Sequence, residues 1–222
     1  MIAKQIISEN LPILNIHDKI YNVLNMMDTF GVSHLPIVHK GEYLGIISEE
    51  DLYQMRDSNQ EILPCNLIKH ADSCVFENQH IYDVVSMISR NKQTVVPVVT
   101  QNREFLGSII AFDVLLHLDN LLSAEIPGTI VVLALNKIDY SLSQISQIVE
   151  YNDSKILSLY TSSNKDSRKM KLTIKIESDN IESILESFNR YEYDIIDVHA
   201  PETPVTDVYN DRYDNLMNFL DI

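Results

Sequence analysis

Tyr43-Leu44-Gly45-Ile46-Ile47-Ser48-Glu49-Glu50-Asp51-Leu52 returns later in the chain as Phe105-Leu106-Gly107-Ser108-Ile109-Ile110-Ala111-Phe112-Asp113-Val114. Working outward, Leu35-Pro36-Ile37-Val38 falls on Val96-Pro97-Val98-Val99, and Ile20-Tyr21-Asn22-Val23-Leu24-Asn25-Met26-Met27 falls on Ile81-Tyr82-Asp83-Val84-Val85-Ser86-Met87-Ile88. The offset is 61 residues from Ile20 to Ile81 and 62 from Tyr43 to Phe105, because the second turn is one residue longer. Helix, strand, turn, strand and helix recur in one order, so the first half of the chain is a duplication.

Each piece has a physical reading. Ile20, Val23, Leu24 and Met27 follow the i, i+3, i+4, i+7 spacing of a helix with one buried face. Gly31 ends that helix, at a position that favours positive φ. Val32 to Val38 reads as a strand in which Pro36 demands an edge or a bulge. Lys40-Gly41-Glu42 is a turn, and Ser48 opens the next helix. A unit of about 60 residues buries too little surface to stand comfortably alone, and two copies packed together solve that problem.

Acids outnumber bases 32 to 17, giving a formal charge of −15. Nucleic-acid binders need surplus Lys and Arg to displace counterions from phosphates, and anionic lipid would repel this surface, so neither nucleic acid nor membrane is an expected partner. Residues 191–222 hold eight acids against Arg212 alone. The start of the chain lacks the apolar core of a signal peptide, and no apolar run approaches the length of a membrane span, which points to the cytoplasm. Cys65 and Cys74 fit no common metal spacing and read as free structural thiols.

The segments Gly31-Val32-Ser33-His34-Leu35-Pro36-Ile37-Val38 and Tyr43 to Leu52, with their ordered duplicate, resemble the CBS family and in particular its tandem pairs, over roughly residues 1–120. The resemblance implies repeats at 1–61 and 62–122, two clefts between them, and an adenosine-type regulatory ligand (AMP, ATP or S-adenosylmethionine class), with no tightly bound cofactor. Its ligand motif reads Gly45-Ile46-Ile47-Ser48-Glu49-Glu50-Asp51. Gly45 allows close approach, Ser48 sits at a helix start, and the Asp51 carboxylate can accept from both ribose hydroxyls. Ser48-x-x-Asp51 reads equally as a capping box, and the two roles can coexist. Ile6, Ile7, His34, Leu35 and Pro36 are expected by the same resemblance to flank the adenine. Glu49 and Glu50 would repel a polyphosphate, and Arg90, Lys92 and Arg103 are cations that the sequence does not place.

The second copy, Gly107-Ser108-Ile109-Ile110-Ala111-Phe112-Asp113, has Ile110 where Ser or Thr is expected. It loses a hydroxyl and a good helix cap, so a weaker cleft around Gly107, Asp113, Val96 and Pro97 is expected.

After the break at Ser123 to Gly128, strand and helix signals alternate again. Thr129 to Leu135, Ile156 to Tyr160, Leu172 to Ile176 and Tyr193 to Val198 read as strands, with helical stripes at Leu142, Ile145, Ile148, Val149 and at Ile181, Ile184, Leu185, Phe188. The order βαββαβ suits a ferredoxin-like sheet and resembles an ACT domain at 128–200. ACT domains bind amino acids near a glycine-containing turn. Here that turn, Asn136 to Leu142, has no glycine, and Asp139-Tyr140-Ser141 reads as a helix cap. Residues 205–222 carry apolar residues at helical spacing and are expected to form a short tail helix.

The fold class expected is therefore α+β, a pair of βαββα repeats followed by a βαββαβ unit. The bacterial CBS-plus-ACT layout resembles proteins of the acetoin-utilisation type. No hydrolase, nucleotide-loop or zinc-protease motif occurs, the seven histidines are dispersed, and no catalytic or metal-ligating residue is assigned. The function expected is a non-enzymatic ligand sensor, homodimeric, acting on a protein partner that the sequence does not identify. The alternatives are an ACT-centred amino-acid sensor or dimerisation scaffold, and an accessory subunit of a metabolic enzyme system.

Overall fold

The computed structural model describes residues 1–55, 59–62, 71–163 and 168–201. Cys65, the tail at 205–222 and residues 164–167 lie outside the described residues. The chain divides into two compact units, Met1–Leu118 and Asp119–Ile222.

In the first unit, α1 (Ile20–Phe30), β1 (His34–His39), β2 (Glu42–Ser48) and α2 (Glu49–Tyr53) are followed by β3 (Val75–Phe76), α3 (Ile81–Asn91), β4 (Val95–Val99), β5 (Phe105–Ile110) and α4 (Ala111–Leu122). The duplication persists to the level of register. Leu14 bridges Ile37 in parallel, as Val75 pairs with Val98. β1–β2 carries a bulge at Ile37/Val38, and β4–β5 carries one at Val98/Val99. Pro36 and Pro97 each stand just before the bulge, where the strand tolerates a missing donor. α1 ends on Gly31 at φ 63°, and α3 ends on Lys92 at φ 53°.

The repeats are tied together by reciprocal bonds. The Tyr43 N–H donates to the Arg103 carbonyl and the Phe105 N–H to the Gly41 carbonyl, at 3.0 and 2.9 Å. Within each repeat an equivalent bond recurs, the Ser33 carbonyl accepting from the Glu49 N–H and the Thr94 carbonyl from the Ala111 N–H, both at 2.9 Å.

Each repeat's core is completed by the segment preceding the other repeat. Ile62 is buried with Leu14, Ile20, Val23 and Leu35 of the first core, whereas Ala3 and Ile6 are buried with Val75, Ile81, Val96 and Ile109 of the second. The Ala3 and Lys4 N–H groups donate to the Gln79 and Glu77 carbonyls. A cut at residue 61 therefore separates the first residues of the chain from the core they fill.

The second unit contains β6 (Thr129–Asn136), α5 (Leu142–Glu150), β7 (Lys155–Ser162), β8 (Lys169–Glu177), α6 (Ile181–Arg190) and β9 (Asp194–His199). Its sheet runs β7-β8-β6-β9, all antiparallel, the strand order of a ferredoxin-like fold. Val131, Leu133, Leu172, Ile174, Ile145, Ile184 and Phe188 share one core between the sheet and the two helices. Ser141 caps α5, its hydroxyl accepting from the Gln144 N–H, as the glycine-free turn suggests.

Candidate functional site

A cavity of about 810 Å³ opens between the repeats, within the roughly 300–1,000 Å³ usual for small-molecule sites. One wall is the β2–α2 junction, with Ile46, Ser48, Glu49, Glu50, Asp51 and Gln54. Ser33 and His34 enter from the start of β1, Ser73 from the segment before β3, and Asn91, Lys92 and Gln93 from the α3–β4 turn of the second repeat.

Ser48 and Asp51 form a complete capping box. The Asp51 N–H donates to Ser48 Oγ at 3.0 Å, while the Ser48 hydroxyl and N–H donate to Asp51 Oδ2 at 2.7 and 3.3 Å. An ionised carboxylate offers roughly four acceptor directions, so the cap and a ribose diol can share it. His34 is fixed by Thr94, whose N–H donates to His34 Nδ1 at 3.3 Å, which places the ring proton on Nε2. The Thr94 hydroxyl also accepts from the Ser33 N–H at 2.9 Å.

Ser73 is held in the wall by the other repeat. The buried Tyr43 hydroxyl donates to the Ser73 carbonyl at 3.1 Å, and Arg103 donates to the Ala71 carbonyl at 2.6 Å while lying 5.5 Å over the Tyr43 ring. Burial pushes the Tyr43 hydroxyl far above the ordinary tyrosine range. Burial likewise raises the Cys74 thiol, with the Arg103 charge opposing.

Of the residues that the motif points to, the structure brings His34, Ile46, Ser48 and Asp51 into this cavity. Leu35 and Pro36 are buried rather than exposed to it, because both sit inside β1 between the Leu14 segment and β2. Gly45 pairs with Ile37 within β2 and does not line the cavity. Lys92 lines the cavity together with Glu49, Glu50 and Asp51 of the acidic first turn of α2, whereas Arg103 is engaged elsewhere. Asn91, Gln93, Gln54 and Ser73 escape the sequence reading. Their signal is the repeat itself, since Asn91 to Gln93 are the counterparts of Phe30 to Val32 at the end of the first helix.

Ile6 and Ile7 pack with the second repeat rather than in this cavity, because the segment exchange carries them there. Ile6 is buried in the second core and Ile7 packs beside it, its Cγ2 filling the space that a Cβ on Gly107 would need. Val96 is fully buried in the same core, and Pro97 is buried in β4. The hydroxyl missing at Ile110 is supplied from far along the chain. Ser8 Oγ accepts from the Ile110 N–H at 2.9 Å and donates to Asp113 Oδ2, and the Ser8 N–H donates to the Ser108 carbonyl at 2.9 Å. Asp113 thus meets the protein's own N-terminal segment. Ser8→Ala is expected to destabilise the protein by about 1–3 kcal/mol, because it strands a backbone donor and a carboxylate. Adding Ile110→Ser should recover most of that loss in chemical denaturation, whereas no recovery would mean that Ser8 acts by other contacts.

Residues 3–56 match the CBS domain family. Among solved structures, the chain is similar to a CBS domain pair/ACT domain protein from Thermotoga maritima, at 19% identity over 53% of this chain and 96% of that one, with a TM-score of 0.48. It is also similar to the CBS domain pair of protein MJ0100 in complex with 5′-methylthioadenosine and S-adenosyl-L-methionine, at 22% identity over 53% and 95% of the two chains and a TM-score of 0.43. A third is CBSX2 in complex with AMP, at 15% identity over 53% and 95% and a TM-score of 0.44. The family match covers the first repeat alone, and the element order of that repeat recurs through α4.

Proposed function

We propose that this CBS pair is a regulatory sensor that takes one adenosine-containing small molecule into the first cleft and performs no chemistry on it. The observation carrying this reading is the cavity that gathers Ile46, His34, Ser48 and Asp51 opposite Asn91, Lys92 and Gln93. Ile46 and the His34 ring offer a surface for a base, Asp51 an acceptor for a ribose diol, and Lys92 a charge for a phosphate. Because walls of both repeats line the cavity, a bound ligand favours the arrangement of repeats that it fits, and so a partner-facing surface. The protein is read as a cytoplasmic homodimer.

The test is a thermal-unfolding titration with AMP, ADP, ATP, S-adenosylmethionine and NAD. A ligand at about 100 times its Kd adds roughly 2.7 kcal/mol, or on the order of 5–10 °C in the midpoint. The reading predicts that rise with at least one of these compounds and fails if none moves the midpoint.

A second reading rests on the other unit. A cavity of about 390 Å³ at the β6–α5 turn is lined by Asn136, Asp139, Gln144, Lys169, Tyr193 and Asp194, a polar set able to hold a zwitterion. This supports an ACT-type amino-acid sensor, and amino acids belong in the same titration. An accessory role beside an acetoin-type enzyme system would draw on either ligand site.

A further inference from the structure

The ferredoxin-like sheet packs one face on α5 and α6, and its other face carries charge in an ordered sequence of strands. Val131, Leu133 and Leu135 point into the core, so Val132 and Ala134 of β6 face outward. Register places Ala134 between Lys171 on β8 and Asp194 on β9, and Val132 between Thr173 and Asp197. Directly paired residues share a face, so the outer surface reads basic strand, apolar strand, acidic strand. Lys171, Asp194 and Asp197 are exposed, while Val132 and Ala134 are half-buried.

We propose that this face docks a second copy of the chain, the two sheets stacked about a twofold axis parallel to β6. That axis exchanges the sides of the apolar strand, laying each Lys171 over the partner's Asp194. The alternative axis in the same plane, perpendicular to the strands, would set lysine on lysine and aspartate on aspartate. Charge order therefore selects one of the two isologous arrangements. Stacked sheets lie about 10 Å apart, a gap that a lysine and an aspartate reaching toward each other can span. Lys171 carries the pairing because Lys175, the next lysine of that strand face, already holds the Ser123 and Ala124 carbonyls at 2.6 and 3.0 Å. Val132 lies near the axis and faces its own counterpart.

The test is cross-linking of the full chain carrying Val132→Cys together with Cys65→Ser and Cys74→Ser by a short bis-maleimide, because facing residues of sheets about 10 Å apart are too distant for a direct disulfide. The reagent is expected to give a cross-linked dimer whose yield persists on tenfold dilution. Lys171→Asp should cut that yield at least fivefold, and Lys171→Asp with Asp194→Lys should restore it to within twofold. No cross-link, a yield unmoved by Lys171→Asp, or a charge swap that fails to restore it would each overturn the proposal.

Discussion

Asp51→Ala is expected to erase the ligand-dependent rise in unfolding temperature while costing the unliganded protein only about 1 kcal/mol. The small term is half of a capping box, the Asp51 carboxylate accepting from the Ser48 hydroxyl and N–H. The large term is the ribose contact, since without its acceptor the base and phosphate walls hold the ligand far less tightly. Asp51→Asn separates the two. The amide still offers Ser48 an acceptor, so unliganded stability should change little. A charge-assisted hydrogen bond worth roughly 1.5–3 kcal/mol is lost, which is about a 10- to 150-fold weakening. Calorimetric unfolding with and without ligand measures both effects. An undiminished ligand shift in Asp51→Ala would place the ligand elsewhere and leave Ser48 and Asp51 as a helix cap alone.

Gly107→Ala carries the other large expected effect, a loss of about 2–4 kcal/mol. A Cβ there would stand 2.5 Å from Ile7 Cγ2, and the backbone at φ 151° resists an L side chain. The methyl group of Ile7 is close to its backbone and cannot swing aside, so the strain falls on the N-terminal segment. Amide exchange should therefore quicken at Ala3, Lys4 and Ser8, whose N–H groups donate to Gln79, Glu77 and Ser108. Adding Ile7→Ala should recover part of the loss, because the two positions share one contact and are not additive. Equal destabilisation with and without Ile7→Ala would show that backbone conformation, not the contact, dominates.

The duplication was legible because periodicity and turn residues are local signals. Ile20 to Phe30 and its counterpart Ile81 to Asn91 repeat even to their ends. The C-terminal order βαββαβ was legible for the same reason, as apolar spacing switches between strand and helix periods. What escaped was non-local. No local pattern says that Ile6 fills the core of the second repeat rather than of the first. Ile110 read as a lost cap, yet Ser8 supplies the hydroxyl from 102 residues away. Lys92 was visible as a cation, but only the packing of the α3–β4 turn beside α2 puts it in the cleft. The motif positions Leu35, Pro36 and Gly45 shape β1 and β2, and the cavity is lined by their neighbours.

The central claim is one adenosine-ligand site per chain, in the first cleft, with Asp113 and Gly107 of the second engaged by Ser8 and Ile7. Isothermal titration of the compound giving the largest thermal shift tests it most directly. The account predicts a single class of site with a stoichiometry of one per chain, absent in Asp51→Ala. Two sites per chain, or one site that survives Asp51→Ala, would contradict it.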